Sequence, residues 1–180
     1  MTREVLIAGF GGQGVLAMGR TLTEAGLKEG YNVTWVPSYG PEMRGGTANC
    51  SVVISTEPIG SPVVAQPTEL IAMNGPSLAR FEPLVDAGGL VLVNSSQVEN
   101  PACRADVRCY LVPCMEEAGK LGNFKVANMI MLGAYIQATN ALKLDTLKEM
   151  LATVFTGPKA HLVALNIKAL EVGASYVKEG

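Results

Sequence analysis

The stretch Gly9-Phe10-Gly11-Gly12-Gln13-Gly14, set directly after the apolar run Glu4-Val5-Leu6-Ile7-Ala8, constrains this chain more than any other feature. A short β-branched-rich run ending in glycines, then apolar residues at helical spacing (Val15, Met18, Leu22, Ala25), reads as strand, turn and helix, the helix running from Val15 to Lys28. Asn32-Val33-Thr34-Trp35-Val36 follows as a second strand and completes a βαβ unit. The pattern predicts an α/β fold, Rossmann-like and doubly wound, with a mostly parallel sheet. At 180 residues, one domain spanning 1–180 is expected.

One strand should break the parallel rule. Ala48 to Ile54 arrives about eleven residues after Val36, with no helix between them. A parallel return needs a crossover of about a dozen residues or more, usually helical, so this strand is predicted to run antiparallel to its predecessor. Beyond it come a Pro-punctuated connector (Pro58 to Pro67), a strand at Glu69 to Met73, and a short helix at Pro76 to Val85 with Pro in its first turn. Gly89-Leu90-Val91-Leu92-Val93 and Cys109-Tyr110-Leu111-Val112 read as buried strands. The C-terminal third reads as helical: Val126 to Asn140, Leu144 to Phe155 and Lys159 to Val177, interrupted at Gly157-Pro158. The first of these helices is apolar almost all round, which predicts burial on several sides or against a partner.

The glycine turn matches G-x-G-x-x-G, where glycines allow a tight turn and let a phosphate approach the helix N–H groups. A dinucleotide site also wants an acid at the end of the second strand, and Val33-Thr34-Trp35-Val36-Pro37 has none. Close packing of strand, turn and helix is therefore the first reading of these glycines. In a doubly wound sheet the loops at the carboxyl ends of the strands share one edge, where ligands bind. If the first two strands are neighbours, the turn lies beside the loop Ser38 to Gly46, SYGPEMRGG, and Asn74-Gly75-Pro76-Ser77 and Asn94-Ser95-Ser96 reach the same edge. Tyr39 and Arg44 are residue types enriched at binding hot spots. The only histidine, His161, starts the last helix and belongs to no triad pattern. No catalytic residue and no metal ligand is assigned.

The balance of 14 Lys and Arg against 16 Asp and Glu gives no basis for attraction to nucleic acid or an anionic membrane. No apolar run reaches the ~20 residues of a membrane span, and the N-terminus passes straight into a strand, so a cytoplasmic location is expected. Cys50, Cys103, Cys109 and Cys114 form no C-x2-C pair, so they are expected to be buried thiols, not cluster or zinc ligands. A chain that is 48% hydrophobic and 17% charged, against a usual charged share of ~25%, is expected to hide surface against partners.

Taken together, GFGGQG after VLIA, the loop SYGPEMRGG, IAMNGPSL and the run LGNFKVANMIMLGAYI resemble the gamma subunit of 2-oxoacid:ferredoxin oxidoreductases, from about Arg3 to Val177. The resemblance leans towards the 2-oxoglutarate and branched-chain (2-oxoisovalerate, or ketoisovalerate) members more than towards pyruvate. It implies a cytoplasmic multisubunit enzyme that oxidatively decarboxylates a 2-oxoacid, with 2-oxoglutarate favoured, to its acyl-CoA and passes two electrons to ferredoxin. Thiamine diphosphate with magnesium would lie between alpha and beta subunits, and iron–sulfur clusters in beta and delta components. None of these groups is expected on this chain alone, which would be inactive in isolation.

The expected partners are the alpha, beta and delta subunits, ferredoxin through the complex and, for the isolated chain, a second copy of itself. The candidate cofactor-binding or subunit-docking residues are Gly9, Gly11, Gly12, Gln13 and Gly14 of the turn, with Ser38, Tyr39, Gly40, Glu42, Arg44, Gly45 and Gly46 of the loop. This edge is expected to dock on the alpha and beta subunits and to help form the coenzyme A entrance. The alternative is a stand-alone nucleotide- or dinucleotide-binding protein of Rossmann-like fold.

Overall fold

The computed structural model describes residues 1–39 and 47–177, Tyr39 by its backbone alone. Six strands form one sheet: β1 (Thr2–Phe10), β2 (Asn32–Tyr39), β3 (Thr47–Ser55), β4 (Glu69–Ala72), β5 (Leu90–Asn94) and β6 (Arg108–Val112), in the spatial order β2-β3-β1-β4-β5-β6. β3 is antiparallel to both β2 and β1, and every other pairing is parallel. The short connection that led to an antiparallel β3 thus has its expected result.

The helices are α1 (Val15–Lys28), α2 (Gly75–Phe81), α3 (Cys114–Lys120), α4 (Ala127–Thr139), α5 (Leu144–Val154) and α6 (Leu162–Ser175). α2 covers one face of β1, β4 and β5, packing Leu78 and Phe81 on Leu6, Leu70 and Val91. The other five helices lie on the opposite face. There Val15, Met18, Leu22 and Ala25 of α1 meet Cys50, Val52 and Ile54 of β3, each large side chain contributing about 1.5–3 kcal/mol of burial.

α4 is the central helix of this layer, buried on nearly every side as its all-round apolar sequence predicts. It crosses α6 at backbone contact. A β-carbon on Gly133 would overlap the carbonyl of Leu170, and one on Gly173 the carbonyl of Ile130, so only glycine permits the approach. Beneath the amino edge, Tyr135 of α4 donates its hydroxyl to Glu69 of β4 at 2.5 Å, and Glu69 also pairs with Arg3.

Several local readings need correction. The short helix predicted over Pro76 to Val85 stops at Phe81 and tightens into a 3-10 turn at Glu82–Leu84, where Pro83 cannot continue the α ladder. α3, at Cys114–Lys120, has no counterpart in the sequence pattern. β6 is an edge strand and not a buried one, with Arg108, Cys109 and Leu111 exposed because no strand among the described residues lies beyond it. That edge brings Cys109 beside the preceding loop, where it forms a disulfide with Cys103 across a Cα separation of 6.2 Å. The expectation of four buried thiols therefore holds only for Cys50 and Cys114. At the opposite edge, β2 carries Pro37, a residue that sheets tolerate in their outermost strands.

Candidate functional site

The first two strands are not hydrogen-bonded neighbours, because β3 enters between them. Phe10 pairs with Thr47 and Tyr39 with Ala48, so the carboxyl ends of β1 and β2 flank the start of β3, about 10 Å apart at two strand spacings. Ser38 is exposed and pairs with Asn49. Gly40, Glu42, Arg44, Gly45 and Gly46 lie outside the described residues.

The glycine turn sits where strand order reverses. From β1 the chain crosses by α1 towards β2, whereas β4 and β5 extend the sheet the other way, and such a switch point opens a crevice beyond the strand ends. Gln13 bridges this point. Its Oε1 accepts from Phe10 N at 2.7 Å and from Asn74 Nδ2 at 3.0 Å, and its Nε2 donates to Met73 O at 3.1 Å. The network continues below: Asn74 Oδ1 caps α2 through Ser77 N, Asn94 Nδ2 donates to Met73 O, and Asn94 Oδ1 accepts from Cys114 N at the start of α3. Asn74 and Asn94 are fully buried, so these bonds satisfy groups that water cannot reach.

Each glycine of the turn has its own reason. A β-carbon on Gly9 would fall 2.6 Å from Gln13 Oε1 and 2.9 Å from Met73, which makes Gly9 a packing residue between strand and turn. Gly14 has φ +75°, forms the N-cap of α1, and leaves room for Asn128, whose Nδ2 would be 2.5 Å from a β-carbon there. Gly12, at φ +93°, is exposed and has nothing within 4 Å of the β-carbon position, so its backbone faces open space. Gly11 is half-buried within the turn.

That open space is a cavity of about 530 Å³. Its walls come from Gly12, Gln13 and Gly14 after β1, Met73 after β4, Asn94 and Gln97 after β5, Met115 of α3, and Phe124, Lys125, Ala127 and Asn128 at the head of α4. The volume falls in the range of small-molecule sites. Its electrostatics favour an anion. The N-terminus of the 14-residue α1 has no side-chain cap and no acid in its first turn, which leaves the positive end of the helix dipole facing the cavity. Lys125 adds a cation with no ion-pair partner among the described residues.

The described lining contains no His, Cys, Asp or Glu, so this arrangement can hold a ligand but offers no acid–base pair. Among the described residues no group of three His, Cys, Asp or Glu is placed to hold a metal. Burial pushes the Cys50 thiol up to about 11 and raises that of Cys114 further, which keeps both protonated and unreactive at neutral pH. Near the outer end of α3, Glu117 is held below the usual carboxylate range by its bonds to Lys120 and then Tyr176.

The sequence reading brought the turn, Asn74 and Asn94 to this edge. It missed Phe124, Lys125 and Asn128, which reach the turn only because α4 packs beneath α1, about 110 residues later in the chain.

The model of the family described as pyruvate ferredoxin/flavodoxin oxidoreductase matches residues 4–176. Ketoisovalerate oxidoreductase subunit VorA of Methanothermobacter thermautotrophicus is 43% identical over 98% of this chain, which spans 36% of that protein's length. 2-Oxoglutarate synthase subunit KorC of Methanothermobacter marburgensis is 34% identical, over 100% of this chain and 99% of that protein. The crystal structure of the keto/oxoacid ferredoxin oxidoreductase gamma subunit from Geobacter sulfurreducens superposes with a TM-score of 0.81 at 26% identity, covering 97% of both chains. The 2-oxoglutarate:ferredoxin oxidoreductase from Magnetococcus marinus, solved with 2-oxoglutarate, coenzyme A and succinyl-CoA bound, shares the fold with a TM-score of 0.89 at 23% identity, over 99% of this chain and 32% of that one.

Proposed function

The chain belongs to the pyruvate ferredoxin/flavodoxin oxidoreductase family, and on that premise we propose that it is the gamma-type component of a 2-oxoacid:ferredoxin oxidoreductase and contributes the coenzyme A entrance. The observation that carries the coenzyme A reading is the cavity at the switch point. Gly12 presents bare backbone, the uncapped start of α1 presents N–H groups, and Lys125 presents a cation, all suited to a diphosphate. Coenzyme A would supply the thiol that takes up the acyl group. This chain's part is to bind and orient the nucleotide end, and chemistry stays with the thiamine-bearing subunits.

Partner docking is the other half of the reading. In the VorA relative the matching segment is 36% of one longer chain, so a region of this kind can be joined covalently to the rest of an enzyme. The loop carrying Tyr39 and Arg44 is the proposed contact with alpha and beta subunits, in the cytoplasm. Among the described residues no helix is long and apolar enough to cross a membrane.

For the substrate, 2-oxoglutarate is proposed, supported by the end-to-end correspondence with KorC. Ketoisovalerate is the second reading, favoured by the higher identity to VorA. The test is a complex reconstituted with its alpha and beta subunits, assayed for ferredoxin reduction with each 2-oxoacid. Lys125→Gln should raise the KM for coenzyme A about tenfold with kcat unchanged, the loss expected for one charge-assisted contact to the bound nucleotide. An unchanged KM removes coenzyme A from this cavity. Tyr39→Ala with Arg44→Ala should weaken co-elution with the partner subunits, and a normal complex would remove the docking role.

A further inference from the structure

A second cavity, of about 430 Å³, lies on the far side of Lys125 and Asn128 from the first, between α1, α4, α5 and α6. Its floor is apolar: Met129, Met150 and Leu151 are buried, and Phe155 and Leu162 are half-buried around them. No part of the proposed coenzyme A site uses this floor. The charges at its rim do not cancel. Arg20 and Glu24 bond to each other at 2.7 Å, which neutralises that side and leaves Lys125 as the rim charge with no ion-pair partner among the described residues.

An apolar floor under one unbalanced cation selects a hydrophobic monoanion. The volume equals about fourteen water-sized units at ~30 Å³ each, room for a ligand of roughly ten to twelve non-hydrogen atoms. Two methionine thioethers and a phenyl ring along the floor favour a flat aromatic body over a flexible chain, through sulfur–aromatic and ring contacts. We propose that this cavity is a binding site for an arylaliphatic carboxylate, its ring between Met129, Met150 and Phe155 and its carboxylate at Lys125. Because Lys125 and Asn128 form the wall common to both cavities, an occupant here draws on the same cation that faces the glycine turn.

The probes are phenylacetate, with ten non-hydrogen atoms, and its neutral isostere phenylacetamide. Val154 stands exposed at the rim, at the end of α5, so Val154→Trp places a fluorescent reporter beside the cavity in a chain whose only other tryptophan is Trp35. Saturating phenylacetate should raise the thermal midpoint of the wild-type chain by about 5 °C. It should shift the emission of the Val154→Trp variant, and it should bind about tenfold more tightly than the amide. Lys125→Gln should abolish the preference for the acid while keeping the emission response. The proposal is overturned if phenylacetate gives no midpoint shift, if acid and amide bind wild type equally, or if stabilisation occurs with the Val154→Trp emission unchanged. Since the coenzyme A reading is tested by turnover, either proposal can fail while the other stands.

Discussion

Gly173 of α6 rests directly against the carbonyl oxygen of Ile130 in α4, leaving no room for a side chain at position 173. Gly173→Ala forces the two helices apart, and it should cost about 2–3 kcal/mol in urea unfolding, the upper part of the range for overpacked cores. Gly19→Ala is the informative control. Its nearest neighbours are side chains, those of Cys50 and Trp35, and no backbone atom stands as close, so its cost should be smaller. Equal losses would mean that backbone contact between α4 and α6 is not the limiting constraint.

Gln13→Ala removes the bonds to Phe10, Asn74 and Met73 together. With Asn74 fully buried and partly orphaned, the expected loss is about 1–3 kcal/mol. Hydrogen exchange should speed up at both the turn and the start of α2, because Asn74 serves the two at once. A change confined to the turn would show that the network does not couple them.

The buried thiols and Tyr135 predict loss of stability in base. Burial, and then the charge of Glu69, raises Tyr135 well above its ordinary value, and burial lifts Cys50 to about 11. The folded state therefore keeps protons that the unfolded chain releases from about pH 9 upward, so unfolding free energy should fall as pH rises from about 9 to 11. Tyr135→Phe combined with Cys50→Ala should reduce that slope, leaving the share that belongs to Cys114, whatever it does to stability at pH 7.

Reduction of the Cys103–Cys109 disulfide should lower the thermal midpoint by a few degrees, since a loop this short restrains the unfolded chain by only about 2 kcal/mol. β6 should stay paired with β5, and Arg104 still bonds the carbonyls of Glu82 and Val85. Mass spectrometry after alkylation should find Cys103 and Cys109 modified only with reductant, and Cys50 and Cys114 only after unfolding.

The central architecture is legible in sequence because local physics dictates it. Glycines after Ile7-Ala8 oblige a turn, eleven residues are too few for a parallel return to Ala48, and an all-round apolar α4 must be buried. What escaped has equally physical causes. Cys109-Tyr110-Leu111-Val112 is as apolar as a central strand, and only sheet order reveals it as an edge. α3 is seven residues long, and its signals, acids at Glu116 and Glu117 and a base at Lys120, are those of any charged loop. The cavity wall was out of reach altogether, because no periodicity in residues 121–128 reports that they will stand over a turn at Gly12.

Pro37, at the outer strand of the sheet, bears on how this chain can meet other molecules. A strand approaching β2 would find one amide donor missing from the ladder it needs, so continuous extension of the sheet by another chain is interrupted there. At this edge contact must then come from side chains fitting side chains, with selectivity set by surface shape, since a shared backbone ladder would accept almost any extended segment. The same vacancy guards this edge of the chain against stacking onto copies of itself.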